Sequence, residues 1–114
     1  GQWVKGKSGD TFGPTGPYLV TQDEILDINN LNLILEVNGK KMQSGNTKNM
    51  IFNVNFLISY LSKFMSLQPG DLITTGTPAG VGMGMKPQVF LKSGDNIKLS
   101  IDFLGEQNSK VVIK

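Results

Sequence analysis

A mainly β fold carrying one amphipathic helix is what this sequence predicts. Three observations lead there. Leu31, Leu33, Leu35 and Val37 alternate with Asn32, Ile34 and Glu36, the period of a half-buried strand. Ile97, Leu99, Ile101 and Phe103 alternate in the same way with Lys98, Ser100 and Asp102. Between these runs, Val54, Leu57, Ile58, Leu61 and Met65 recur at helical spacing with Phe64 beside them.

The first seventeen residues hold glycines at 1, 6, 9, 13 and 16 and prolines at 14 and 17. Such a stretch predicts shaped loop or strand edge and no regular helix. Pro17 to Val20 reads as a short strand. Thr21 to Ile25 reads as a single helical turn, with Thr21 as N-cap and Glu24 three residues on. After the Leu31–Val37 strand comes Asn38-Gly39, a strong hairpin signal, so Lys40 to Ser44 is expected to return as the partner. Asn53 is the expected N-cap of a helix to Met65, so the helical region lies near 53–66. Gln68-Pro69-Gly70-Asp71 stops it and turns the chain. Leu72 to Thr75 reads as a strand entering a glycine loop, Gly76 to Met85. Phe90 to Lys92 leads into a turn at Ser93-Gly94-Asp95. The strand from Ile97 is expected to turn at Leu104-Gly105-Glu106 and to return over Ser109 to Ile113.

Composition excludes several functions. The chain has 114 residues and a net charge of +2, and all eleven basic residues are Lys. So small a charge, without Arg, argues against nucleic acid as a partner. There is no Cys and no His. Thiolate nucleophiles, Cys–zinc sites and a Ser-His-Asp triad are therefore excluded. No apolar run reaches the roughly 20 residues of a membrane span, so no membrane partner is expected. The lack of Cys and of a signal segment points to the cytoplasm.

Gly1-Gln2-Trp3-Val4-Lys5-Gly6-Lys7-Ser8 matches the phosphate-loop pattern G-x-x-x-x-G-K-[ST]. That motif works through the amides of a following helix. GDTFGPTGP follows instead, so nucleotide binding is not expected here. Lys7, with Ser8, Asp10 and Thr11 nearby, could flank a hard metal ion or hold an enolate by charge-assisted hydrogen bonds. An exposed loop lysine is the plainer alternative. Thr74 to Gly84 could aim backbone N–H groups at an anion, or simply connect two elements. The nine carboxylates are scattered without metal-ligand spacing, and the methionines read as packing residues.

Taken in order, GKSGDTFGPTGPYLVT at 6–21, LNLILEVNG at 31–39, QSGNTKNMIF at 43–52, PGDLITTGTPAGVGMG at 69–84 and FLKSGDNIKLSIDFLG at 90–105 resemble the fumarylacetoacetate hydrolase family. The similarity is to the C-terminal part of its catalytic domain. It implies a mixed β-roll with a β-sandwich-like core, few helices and a homodimer. It implies a metal-dependent hydrolase or lyase of 2,4-dioxo or related 2-keto acids, cleaving a C–C bond through a metal-bound enolate. The implied cofactor is Mg²⁺, or Mn²⁺ or Ca²⁺, and the partner a small keto acid.

Residue by residue, Lys7 matches the family's catalytic lysine beside the metal. Thr11 matches the threonine at the metal site's edge. Gly76 and Thr77, in Gly76-Thr77-Pro78, match the substrate-binding segment. The family's carboxylate ligands, its water-activating His–Glu pair and its Arg-Asp substrate motif lie upstream and are not in this chain. Residues 1–114 are therefore expected to be the C-terminal portion of one domain whose N-terminal portion is missing, inactive on its own. The wording GDTFGPTGPYLVT and GTPAGVGMG most resembles the ureidoglycolate lyase and 2,4-diketo-3-deoxy-sugar-acid hydrolase group. The alternative is a non-catalytic β domain that packs on a partner chain or on itself.

Overall fold

The computed structural model describes residues 2–113. Its centre is a four-stranded antiparallel sheet in the order β2-β1-β3-β4. The strands are β1 (Asn32–Val37), β2 (Lys40–Asn46), β3 (Asn96–Ile101) and β4 (Gly105–Lys110). The two helices are α1 (Trp3–Lys7) and α2 (Val54–Leu61). The mainly β expectation holds, and both alternating runs form strands.

The β1–β2 hairpin turns where the sequence places it. Asn38 and Gly39 both take positive φ, 52° and 77°. That is the backbone of the tight turn matching strand twist, and asparagine and glycine reach it at least cost. The pairing then slips by one residue: Leu35 faces Gln43, but Glu36 faces Lys41. Met42 is the extra residue of a bulge.

β1 is central and is tied at both ends by polar side chains. At the hairpin end, Asn38 Nδ2 donates to Asp95 Oδ1 at 2.9 Å, and Asn96 N donates to Asn38 Oδ1 at 2.9 Å. At the other end, Asn32 donates to Asp102 through its backbone N at 2.9 Å and its side chain at 2.8 Å. Thr47 completes that end: its hydroxyl accepts from Leu31 N and donates to the Ile28 carbonyl, both at 2.9 Å.

One face of the sheet is apolar. Leu33, Leu35 and Val37 lie opposite Ile101, Leu99 and Ile97. The other face carries Glu36 opposite Lys98 and an ion pair from Lys98 to Glu106 at 2.7 Å.

Several expectations are corrected. The opening segment does hold a helix, of one turn, over Trp3–Lys7, because the Gln2 side chain accepts from Val4 N and caps it. Pro17–Val20 and Leu72–Thr75 are not strands; neither pairs with the sheet. Gln22–Glu24 form the expected turn after Thr21, but the Thr21 side chain makes no backbone cap. Its hydroxyl instead bonds Asp23 and holds that carboxyl below its ordinary value. α2 keeps the predicted cap, Phe56 N donating to Asn53 Oδ1 at 2.8 Å, but ends at Leu61 rather than Met65. Met65 N and Phe64 N both donate to Leu61 O, closing the end in a tightened turn. The β3–β4 turn is Asp102–Leu104, not Leu104–Glu106. Phe103 takes the left-handed φ of 64°, and Gly105 already pairs with Ile101.

The core is slight. Leu31, at 5% exposure, is the buried hydrophobic residue of the described chain. The accessible surface is 9425 Å². A compact monomer of this mass would expose about 6100 Å². Much of the excess is apolar, including an aromatic ladder along α2. Phe52, Phe56, Tyr60 and Phe64 follow one another with ring centroids 4.8, 6.0 and 5.0 Å apart.

The Asp95 tie sets a pH response. The Lys92 N–H, and then the Asn38 amide, hold its carboxyl below the ordinary value of 3.8. A lowered folded value means stability that is present above 3.8 and lost as pH falls through the folded value. Thermal unfolding of the chain against pH is expected to show that acid-side loss. Asp95→Ala should lower stability at neutral pH and shrink the acid-side decline; an unchanged decline would remove Asp95 as its source.

Candidate functional site

Two loops carry the residues singled out in the sequence, and each is fixed to the sheet by a glutamine. The first runs from α1 through Pro17. Lys7 is the last residue of α1 and is exposed. The chain then turns, with Phe12 N donating to Gly9 O at 3.0 Å. Thr11, inside this turn, has a φ of 67°. A β-branched residue is rarely found there, and such strain gathers at functional sites. Further on, Gln107 Nε2 donates to Gly16 O at 2.6 Å and fastens the loop to β4. Gly105 lets it lie flat: a Cβ there would come within 2.7 Å of Tyr18 Oη and 2.9 Å of Pro17 Cγ. A groove of about 360 Å³ lies between Pro14, Tyr18 and Leu19 of this loop and Leu99, Ile101 and Leu104 of the sheet region.

The second loop is the glycine-rich segment after α2. Gly76 takes a φ of 97° and Thr77 follows it. Gln43 of β2 donates through Nε2 to Thr77 Oγ1 at 2.8 Å and to Pro78 O at 2.7 Å. Two glycines let the loop press on β2. A Cβ on Gly45 would meet Pro78 Cβ at 2.7 Å, and one on Gly80 would collide with the Met42 carbonyl. Gly80 also has a φ of 109°.

Register places both anchors on one face. Gln43 lies opposite Leu35, Leu35 opposite Leu99, and Leu99 opposite Gln107. Directly paired residues project to the same side of a sheet. The row Gln43–Leu35–Leu99–Gln107 therefore runs across all four strands on the apolar face, with a loop tethered at each end. Three inter-strand steps separate the ends, about 14 Å. Lys7 and Thr11 share the first loop, and Gly76 and Thr77 share the second. The groove beside the first loop is lined by none of the four. The tether points themselves, Gly16 in the first loop and Thr77 and Pro78 in the second, thus stand at opposite ends of one row.

The sequence reasoning missed both glutamines. Gln43 was legible only as part of a motif. Gln107 lay between the expected turn at 104–106 and the return strand expected from 109, and a shifted turn hides which face a strand residue takes.

Among the described residues there is no cluster of three or more His, Cys, Asp or Glu side chains able to hold a metal ion. The chain's own side chains do not make a metal site. They offer a cation at Lys7 and hydroxyls at Thr11 and Thr77. No helix among the described residues is long and apolar enough to cross a membrane.

A four-stranded antiparallel sheet of this order, with two glycine-rich loops fastened to one face, is the architecture of a β-rich domain. The chain belongs to the fumarylacetoacetate hydrolase family: the family described as fumarylacetoacetate (FAA) hydrolase, C-terminal, matches residues 1–112. A Burkholderia ambifaria protein designated only provisionally as a hydrolase is 62% identical over 108 residues, covering 94% of this chain and 38% of that protein. The fumarylacetoacetate hydrolase of psychrophilic Exiguobacterium antarcticum superposes with a TM-score of 0.93 at 44% identity, over 96% of this chain and 39% of that one. Maleylpyruvate hydrolase from Sphingobium sp. SYK-6, solved with manganese(II) and pyruvate, superposes with a TM-score of 0.82 at 40% identity, over 90% of this chain and 36% of that one. The chain spans less than two-fifths of the length of these proteins.

Gly80 tests the seat of the second loop. Gly80→Ala forces Cβ into the Met42 carbonyl at a positive φ. The loss is expected to be about 1–3 kcal/mol, read by denaturant unfolding. Local hydrogen exchange should rise at 76–80 more than in β3. An equally stable variant with unchanged exchange would show that the loop does not depend on this contact.

Proposed function

We propose that this chain is the C-terminal portion of a hydrolase of 2,4-dioxo or related 2-keto acids, and that Lys7, Thr11, Gly76 and Thr77 line one side of its site. The observation that carries this reading is the pair of loops mounted on one sheet face. The family-matched residues fall in those loops and nowhere else.

The chemistry needs charge stabilisation. Cleaving a C–C bond beside a keto group develops negative charge on an enolate oxygen. A lysine ammonium placed near that oxygen stabilises the transition state more than the ground state. Lys7 is the cation that the first loop supplies. Thr77 offers a hydroxyl, and Gly76 leaves its backbone open to close approach by a ligand. Thr11, four residues on, adds a second hydroxyl from a backbone held at a φ of 67°.

A divalent cation belongs to this reading. The Sphingobium hydrolase holds manganese(II). In this protein the cation, Mg²⁺, Mn²⁺ or Ca²⁺, would take its carboxylate ligands from outside these 114 residues. When bound, such an ion draws electron density from a keto-carboxylate. The reading also includes a cytoplasmic homodimer, whose contacts would cover part of the open apolar surface on α2.

Lys7→Ala in the full-length protein tests the assignment. Turnover of a 2,4-dioxo acid such as 2,4-dioxopentanoate should fall about 100-fold or more, with the melting temperature nearly unchanged. Lys7 lies on the exposed face of a one-turn helix, so its removal costs little packing. Unchanged turnover would sink the assignment.

A further inference from the structure

Gln43 does more than hold a loop. Its amide nitrogen touches both Thr77 Oγ1 and the Pro78 carbonyl oxygen, at 2.8 and 2.7 Å. A carbonyl oxygen only accepts, so the Pro78 contact fixes which end of the amide faces the loop. Both amide hydrogens are then used, one on Pro78 and one on Thr77. The Thr77 hydroxyl accepts from Gln43, and its own proton is left to point elsewhere. Thr77 is exposed, so that proton is available to a ligand. An accepted hydrogen bond also polarises the hydroxyl and makes it a better donor.

The surroundings hold this arrangement in place. The bulge at Met42 immediately precedes Gln43. The Met42 carbonyl lies against Gly80, and Pro78 packs on Gly45. Both sides of the amide contact are therefore pinned by backbone, which is how a side-chain hydrogen bond acquires a fixed direction.

We infer that Gln43 is a positioning residue that aims the Thr77 hydroxyl as a donor toward a lone-pair-bearing group of the substrate, its carboxylate or 2-keto oxygen. The inference rests on the proposed reading that Thr77 meets substrate, and deepens it. A hydroxyl held this way keeps its proton for an acceptor such as a carboxylate, with one of its two lone pairs already taken by Gln43.

The test uses the full-length protein with manganese(II), and pyruvate as the probe, its dissociation constant read by calorimetry. Thr77→Val should weaken pyruvate by about tenfold or more, the size of a lost hydrogen bond to a charged group. Gln43→Met should weaken it several-fold. The double variant should bind no worse than Thr77→Val alone, because Gln43 acts only through that hydroxyl. Gln43→Glu keeps the shape but turns the donor into an acceptor, and should weaken pyruvate more than Gln43→Met. It also serves if the methionine variant fails to fold.

Independent, multiplying losses in the double variant would overturn the inference. So would Gln43 variants that bind pyruvate normally while Thr77→Val does not; the reading of Thr77 would then survive. Normal binding by Thr77→Val would overturn the reading of Thr77 and the inference with it.

Discussion

One row of four side chains governs how this chain presents its chemistry. Gln43, Leu35, Leu99 and Gln107 lie side by side across the sheet. The leucines at its centre are half-buried. The glutamines end the row because each edge strand must hold a loop that has no ladder of its own. A long amide is suited to that role, since it reaches off the sheet and donates to a carbonyl of an irregular segment. The same row would be lost to a one-residue slip, since that would turn both glutamines to the opposite face. The row therefore depends on the register of β1 against both neighbours.

Register in turn depends on the ends of β1. A central strand with few buried side chains is held weakly by packing alone. Here Asn38, Asp95 and Asn96 bind one end, and Asn32, Asp102 and Thr47 the other. Asn46 extends the second group, donating to Asn30 and Asn32 at 3.1 and 3.0 Å. These bonds join residues up to 70 positions apart in sequence. They fix β3 against β1 where no hairpin could, because the connection between those strands passes through α2 and the glycine loop. Asp95, one of the two carboxylates that clamp the strands, was legible from sequence only as part of a turn.

Legibility follows from this division. Elements made by local rules could be read: the alternation of β1 and β3, the Asn38-Gly39 turn, the Asn53 cap. The family-matched loops could be read as motifs. What could not be read was settled by long-range contact. Leu72–Thr75 has strand-forming residues, but it pairs with no strand of the sheet. Pro17 and Tyr18 lie on β4 through side-chain contacts with Gly105, not through a ladder. Gly105 takes the positive φ, 81°, that its glycine signals, yet it already pairs with Ile101, and Phe103 takes a second left-handed position inside the turn. The role of Gln43 was invisible for the same reason: its partners lie 34 and 35 residues away.

The open surface explains why a site can be only half built and still be well mounted. The chain exposes about half as much area again as a compact monomer of its mass. The exposed part includes the aromatic ladder of α2 and much of the two loops. Each loop is nevertheless fixed at one point by a directed hydrogen bond and at another by a glycine that admits close contact. Placement of Thr77 and of the Gly16 end of the first loop is thus decided inside this chain. The two ends of the row stand about 14 Å apart. The sheet thus sets the span between the two tether points, Gln43 and Gln107.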